Sequence, residues 1–442
     1  MRLQIKTIMR IFKNLFLVLG LFITTVGCHS YMLDDAQYDL RDSFSDGDFK
    51  KSQALLNRFE DKDLYRSKDA VLWNLENGMV YHFAGKYDSS TIFLSKAELD
   101  IESNYTKSLS RGFASFLTND NKLAYDGEPY ENIYLNAFKA LNFVHQKDWE
   151  GALVETRRMS FKMEQLDIKI KGLADALSRA DSTGKAEWSS GKVNIQNSAF
   201  SHYLSSILYA KTGRPDNARI EYEKLDIALR EQAKLGDYEP FDVSNLQQIQ
   251  EPESYNVLLT SFTGQSPLKY QEDIRLWDDD FYLKFSFPLI DLYPTQVSDV
   301  RAVLNGNEEL SLHLIEEMDL VSREVYKAKQ PIIYARALTR SLVKAGGTGV
   351  IKKAIKEENE TLGFIASVLS FLYKEGSEKA DLRGWQTLPG QAWMNVVKLP
   401  PGQNTVTLEY ISKTGRVLYS EEYSVSVTEN TSLELIESIY SK

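Results

Sequence analysis

Tyr125–Arg158, YDGEPYENIYLNAFKALNFVHQKDWEGALVETRR, is the stretch whose reading decides the fold. Pro129 suits a first helical turn, where its missing N–H has no intrahelical partner to lose. Glu128 and Glu131 face the positive end of the helix dipole. The helix runs to a three-residue turn, Lys147-Asp-Trp149, and a second helix folds back on the first. The stretch reads as a capped helical hairpin.

Two other segments copy its pattern of small and large residues. The close-approach position in the first helix is Gly78, Ala140 and Ser206, with an aromatic three residues later at Tyr81, Phe143 and Tyr209. The small position in the second helix is Ser90, Ala152 and Ala218. The turns are Gly85-Lys-Tyr87, Lys147-Asp-Trp149 and Gly213-Arg-Pro215. Asp34–Asp61 matches by half, with Phe49 and Ser52 in place but Leu40 where a small residue belongs. Lys68–Asp100 falls close to the tetratricopeptide pattern, through Trp73, Leu75, Gly78, Tyr81, Gly85, Tyr87, Leu94 and Ala97. A generic helical bundle with the same apolar spacing is the plainer alternative. The turns are unevenly spaced, so extra helices or loops intervene. Ala152–Arg179 reads as one long helix, followed by the polar loop Ala180–Gly191 around Trp188.

Beyond Asp237 the period changes. Asp237–Ser254 is polar and turn-rich and reads as a linker. Tyr255–Ser261, Tyr282–Pro288 and Val300–Leu304 are strand candidates, with Asn305-Gly306 as a hairpin turn. A helical block is expected from Leu314 to Lys374. Ala392–Lys398, Asn404–Ser412, Val417–Val427 and Ser432–Ser438 then alternate, with breaks at Pro400-Pro-Gly402 and Lys413-Thr-Gly415. The expected fold is mainly α with a C-terminal α+β part. It is a TPR-like helical-hairpin array (28–236) and a linker (237–254), followed by a small antiparallel, sandwich-like β domain with inserted helices (255–442).

The formal charge is −10, and residues 1–27 contribute only basic groups, Arg2, Lys6, Arg10 and Lys13. So acidic a chain does not coat nucleic acid, whose binding rests on Lys and Arg neutralising phosphates. The single cysteine excludes an internal disulfide and any Cys-rich metal site. Its position explains it. A basic n-region, the short apolar run Leu15–Ile23 and Thr24-Thr-Val-Gly-Cys28 read as a secretory signal over 1–27. Gly27 before the lone Cys28 resembles a bacterial lipobox, which implies a diacylated Cys28 and attachment to the membrane by that lipid. His29 in place of Asp then favours the outer membrane. An ordinary signal with an incidental cysteine is the alternative.

Candidate chemistry is sparse. His82, His145, His202 and His313 lack the i,i+4 pairing of a zinc helix, and no Gly-x-Ser-x-Gly elbow occurs. Gly191-Lys192 and Gly347-Thr-Gly349 lack the remaining residues of phosphate loops. Asp278-Asp-Asp280 lacks the spaced ligands of a calcium loop. Leu362–Leu372 is too short to span a bilayer. No catalytic residue, metal or cofactor is expected. Two readings of Glu128-Pro-Tyr-Glu131 stay open. It is a helix start, or Tyr125, Glu128, Tyr130 and Glu131 form an exposed aromatic and acidic rim for a partner, extended by Arg157 and Arg158.

The chain resembles a family of bacterial envelope lipoproteins of unassigned function with a tetratricopeptide-like N-terminal half. The resemblance is carried by Tyr125-x-Gly-Glu-Pro-Tyr-Glu131, the Ala140/Phe143/Ala152 hairpin and Arg157-Arg158. It continues through Gly264-x-x-Pro267-x-Lys269 and Ala335-Arg336-Ala337 with Arg340 and Lys344. Asp381-x-Arg383-x-Trp385-x-x-Leu388-Pro389 and Pro401-Gly402 complete it. It implies proximity to cell-wall synthase activators and supplies no catalytic residues. Arg383 and Trp385 are expected to fix the β part to the helices. The functional expectation is a membrane-anchored, non-enzymatic scaffold whose helical grooves hold an envelope protein or peptide. The alternative is a glycan- or nutrient-binding outer-membrane lipoprotein using Trp188, Trp277 and Trp393 as platforms.

Overall fold

Small residues set the spacing of the helices. In the computed structural model, a Cβ added to Gly78 would lie 2.4 Å from Leu94 Cδ2, so helices α3 (Ala70–Phe83) and α4 (Tyr87–Ser110) meet where only glycine fits. Ser90 Oγ donates to the Gly78 carbonyl at 2.7 Å across that contact. The same bond recurs in reverse between α8 (Ala199–Lys211) and α9 (Pro215–Gly236), where Ser206 Oγ donates to the Ala218 carbonyl at 3.0 Å. Between α5 (Pro129–His145) and α6 (Trp149–Glu164), Ala140 and Ala152 are both fully buried. The turns share one backbone solution. Gly85, Lys147 and Gly213 have φ of +71°, +63° and +71°. Each N–H returns to the carbonyl three residues back. Lys147 adopts this left-handed conformation with a side chain, at a cost of about 1 kcal/mol.

The described residues are 32–33, 35–110, 120–181, 188–278, 281–344, 380–429 and 431–442. Cys28, the signal region, Asp279-Asp280, Gly347-Thr-Gly349 and Leu362–Leu372 lie outside them. The helical half begins with α1 (35–45) and α2 (Phe49–Asp61). Ala152–Arg179 is not one helix: α6 ends at Glu164 and α7 (Leu166–Ala180) starts after a turn at Gln165. The break lets both halves bury their apolar sides, Met159 and Met163 on one and Leu166 and Ile170 on the other.

The helical half is followed by a region of mostly antiparallel sheets. Strands β1 (Val257–Thr263), β6 (His313–Glu317), β7 (Gln391–Val397) and β10 (Glu434–Tyr440) form one sheet in the order β10-β1-β7-β6. A second sheet, β5-β4-β8-β9, is built from β4 (Val297–Leu304), β5 (Glu308–Ser311), β8 (Gly402–Ser412) and β9 (Val417–Val427). Strands β2 (Leu268–Asp278) and β3 (Phe281–Asp291) pair as a separate hairpin. Val257, Leu259, Trp393 and Ile436 face Val300, Ala302, Val406 and Leu408 across a small inter-sheet core. On the opposite face, Leu258, Phe262, Met394 and Ile439 join the helical core. Buried on both sides, β1 has no exposed position.

These contacts correct several expectations. The strands divide among three sheets, and β1 pairs with β10 in parallel. Leu314–Glu317 is strand, because pairing with β7 overrides its local pattern, and helix α10 runs Met318–Lys344. Asp237–Ser254 is not a free linker. It contains a 3-10 helix, Val243–Gln250, whose Leu246 and Ile249 are fully buried against the helices. One apolar core runs continuously from Ala36 to Ile439, so the two halves share it. The inner faces of the hairpins are filled by the chain itself. Phe262 packs 5.2 Å from Phe138, Trp385 6.1 Å from Phe138, and Tyr134 Oη donates to Glu316 Oε1 at 2.9 Å. Among the described residues, no helix is long and apolar enough to cross a membrane.

Candidate functional site: a cation-lined cavity beside the α5 helix start

The Glu-Pro-Tyr-Glu segment is a helix start, and it is covered. Tyr125, Tyr130 and Glu131 are 4%, 6% and 0% exposed. The Glu131 carboxylate accepts the Glu128 N–H at 2.8 Å, the Tyr125 hydroxyl at 3.0 and 2.9 Å, and the Trp385 N–H at 2.7 Å. Burial, with the Glu128 charge adding, pushes the Glu131 carboxyl up to about 7. The exposed rim is therefore corrected. Three donors satisfy Glu131 inside the protein, and that satisfaction permits its burial. Arg157 and Arg158 are exposed but turn to their own helix. Arg157 Nε donates to the Leu153 carbonyl at 3.0 Å and Arg158 to Glu155 Oε1 at 3.0 Å.

Beside this helix start lies a cavity of about 180 Å³. Three helix faces wall it. From α4 come Ile101 and Tyr105, from α7 Leu166, Lys169, Ile170 and Leu173, and from α10 Lys329, Ile332, Ile333, Arg336 and Arg340. Glu128, Asn132 and Ile133 of α5, Lys269 and Phe287 of the β2–β3 hairpin, and Asp381 and Arg383 complete it. The break at Gln165 matters here, because it frees α7 to form a wall. Stretches that are far apart in sequence, and that carried the family resemblance, meet at this one place: Glu128, Lys269, Arg336 with Arg340, and Asp381 with Arg383.

The charges are organised around shared carboxylates. Glu128 accepts Lys269 at 2.5 Å and Lys329 at 2.5 Å. Burial alone would raise the Glu128 pKa, but the two lysines hold it at about 2. Asp120 takes Arg336 at 2.8 Å and Arg340 at 2.5 Å, and these cations outweigh burial to keep its pKa low. Arg383 joins Asp69 at 2.9 Å, Asp381 at 2.7 Å and the carbonyls of Asp120 and Leu123, while its guanidinium lies 5.2 Å over the Tyr125 ring. Lys162 donates to Glu98 at 2.6 Å and to Asn132 and Asn136 at 2.8 Å, and burial draws its ammonium down to about 8. The cavity thus combines an aliphatic lining with cations held by buried partners.

Sequence reasoning singled out Glu128 but not the cavity. The signal on α10 was legible: Lys329, Ile333, Arg336 and Arg340 follow i, i+4, i+7, i+11, one face of a helix. A second polar cluster was not legible. His82 Nε2 and His145 Nε2 each lie 2.8 Å from one carboxylate, Glu437 on β10. Among the described residues, no group of His, Cys, Asp or Glu has the arrangement to hold a metal ion. Trp188 is buried and donates to Asp181 Oδ2 at 3.1 Å. Trp393 is buried between the sheets and donates to Thr263 Oγ1 at 3.0 Å, so neither is an exposed platform. Trp277 lies in β2. Comparison with protein families, with curated proteins and with solved structures finds no match for the chain.

Proposed function

We propose that this chain is a non-enzymatic scaffold of the bacterial cell envelope, tethered to the membrane through a lipidated Cys28 and built on tetratricopeptide-type hairpins. The expected place is the outer membrane, and the link to cell-wall synthesis rests on the family resemblance. The groove expected to hold a partner is occupied by the chain's own sheet, so the partner meets the outer face of the hairpins.

One observation carries this reading. Counted from the small positions Ser90, Ala152 and Ala218, the residues two and nine places on are Ile92 and Leu99, Val154 and Phe161, Ile220 and Ile227. All six are exposed, Leu99 by 71% and Phe161 by 62%. Scattered apolar residues on a surface need no explanation, but the same two positions exposed in three successive hairpins form a periodic surface. The glycan-binding alternative loses two of its three platforms, since Trp188 and Trp393 are buried.

A photo-crosslinking residue placed at Leu99, Phe161 or Ile227 in living cells should trap one and the same protein from all three positions. Three unrelated adducts, or none, would remove the scaffold reading.

A further inference from the structure

We infer that β9 is a docking edge for an extended segment of another protein, which adds to it as a further strand and carries basic residues opposite Glu421 and Glu422. This edge is distinct from the outer face of the hairpins, so either surface can lack a partner while the other has one.

An edge strand offers a row of unpaired N–H and C=O groups, and proteins ordinarily blunt it. The edges of the two four-stranded sheets are treated unequally. β5 has four residues, and β6 has five with a bulge between Leu314 and Glu316. β10 is guarded by side chains. The Glu434 N–H donates to the Asn256 carbonyl at 2.8 Å, so the even-numbered residues of β10 face β1 and the odd-numbered ones face outward. Along that outward side the Glu437 carbonyl accepts Tyr423 Oη and the Ser441 carbonyl accepts Gln265 Nε2, each at 2.8 Å, while the Leu433 carbonyl accepts Lys147 Nζ at 3.5 Å.

β9 has no such guard. The Asn305 N–H donates to the Thr405 carbonyl at 2.9 Å, which turns the odd-numbered residues of β8 towards β4 and the even-numbered ones towards β9. Asn404, Val406 and Leu408 then meet Val425, Tyr423 and Glu421. The N–H and C=O groups of Ser420, Glu422, Ser424 and Ser426 therefore point away from β8, along about 20 Å of edge. All four residues are exposed. Among the described residues no group bonds to them, and β8 and β10 are the elements packed on β9. The strand contains neither Lys nor Pro. In strand addition such main-chain groups supply affinity, and alternate side chains supply specificity.

The side chains define the strand that fits. On the inner face Tyr419, Tyr423 and Val425 are half-buried at the rim of the inter-sheet core, and apolar residues on an added strand would extend that core. Glu421 and Glu422 have no ion pair among the described residues. Arg301 on the same sheet is shared by Glu309 and Glu409, and Lys413 and Arg416 lie in the turn before β9. Across the cleft between β9 and the hairpin turns, His82 and His145 are held by Glu437, Lys147 by Glu434 and Lys442 by Asp46. Opposite charges facing each other across a strand pair stabilise it, and like charges oppose it. The same rule disfavours a second copy, because full-length antiparallel pairing of two β9 edges centres on Glu422 and sets it against itself.

Fluorescence anisotropy of the full chain with the labelled octapeptide Thr-Val-Thr-Val-Lys-Lys-Thr-Val tests this. Laid antiparallel to 419–426, its lysines fall opposite Glu422 and Glu421. It should bind one per chain. Replacing both lysines by glutamates, or N-methylating the amides of its third, fifth and seventh residues, should each weaken binding at least about tenfold. Ser424→Pro removes an outward N–H that makes no native bond, and should weaken it as much. Glu422→Lys should erase the preference for the lysine over the glutamate peptide. Glu239→Lys, the same charge change beside the opposite edge of the first sheet, should leave binding unchanged. No binding at about 1 mM peptide, a range that detects even weak sites, overturns the inference. So does equal binding of the N-methylated peptide, which marks charge adsorption only, or of the glutamate peptide, which marks an unselective edge. Self-association of the full chain that Ser424→Pro abolishes would put a second copy on the edge and also overturn it. If Ser424→Pro loses the parent's circular dichroism, Glu422→Lys on its exposed side chain decides, and an unchanged preference for lysine overturns the inference.

Discussion

Glu131 Oε1 accepts the backbone N–H of Trp385 at 2.7 Å, joining the start of α5 to a segment 254 residues further along the chain. The same carboxyl receives the Tyr125 hydroxyl and the Glu128 N–H, so one buried side chain ties a helix start, an aromatic and the C-terminal region together. Gly384, adjacent to Trp385, lies at ordinary packing distance from the same carboxylate. A Cβ there would lie 3.8 Å from the Glu131 carboxylate.

Removing that carboxyl should cost more than removing a surface charge. Glu131→Ala strands three donors in the interior and is expected to destabilise the protein by about 3 kcal/mol or more, read as a lower urea midpoint. Glu131→Gln keeps an acceptor and should lose about 1 kcal/mol. Because burial raises the Glu131 carboxyl to about 7, the native state binds the extra proton between pH 4.5 and 7. That group therefore lowers stability as pH rises through this window. The Ala variant should show a smaller loss over the same range.

His82, His145 and Glu437 predict a different pH dependence. Burial pulls the His82 imidazole down, but the Glu437 charge and its hydrogen bonds more than reverse this, so its pKa lies above the usual 6.5. Burial would raise Glu437, and the two histidines instead hold it at about 2. The His82 contribution is complete below pH 6.5 and is lost as pH rises through its elevated value. The Glu437 contribution is present above pH 4.5 and is lost on acidification towards 2. The stability gap between the parent and Glu437→Gln should therefore be widest near pH 5–6 and narrower at pH 8.5, measured by urea unfolding at each pH.

Gly78→Ala tests the packing of the hairpins. Alanine favours a helix over glycine by about 1 kcal/mol, yet the added Cβ would sit 2.6 Å from Leu94 Cγ, and Leu94 is fully buried. Overpacking should win, with a net loss of about 1–3 kcal/mol in thermal or urea unfolding. Pairing it with Leu94→Ala should make the two effects non-additive.

Arg383 ties the C-terminal region to the helical half through Asp69. Its guanidinium satisfies Asp69, Asp381 and two backbone carbonyls. Arg383→Met leaves Asp69, which is fully buried, without that partner and should destabilise by about 3–5 kcal/mol. Arg383→Lys should recover only part, because an ammonium cannot reproduce the planar fork.

Local physics was legible and long-range pairing was not. The hairpins followed from the need for small residues at fixed distances from each turn, and Gly78 and Ser90 meet as that need requires. Strands β8 and β9 showed in their alternation, because one face of each is wet. Strand β1 was caught by its β-rich composition, but nothing local says that β10 lies parallel beside it. Glu131 was read as part of a helix start or of an exposed rim, and its full burial was not foreseen, because carboxylates are rarely buried. Its donors Tyr125 and Trp385 come from opposite sides of a fold that the local sequence does not announce. Glu437 escaped notice for the same reason, being separated from His82 by 355 residues.

Helices and sheets share one core, so they are expected to unfold together. Native-state hydrogen exchange on the full chain, followed in rising urea, tests it most directly. The amides of Tyr134–Leu141 in α5 and of Leu258–Phe262 in β1 should converge on one opening free energy with the same urea dependence. Exchange of β1 through a separate, smaller opening while α5 remains protected would contradict it.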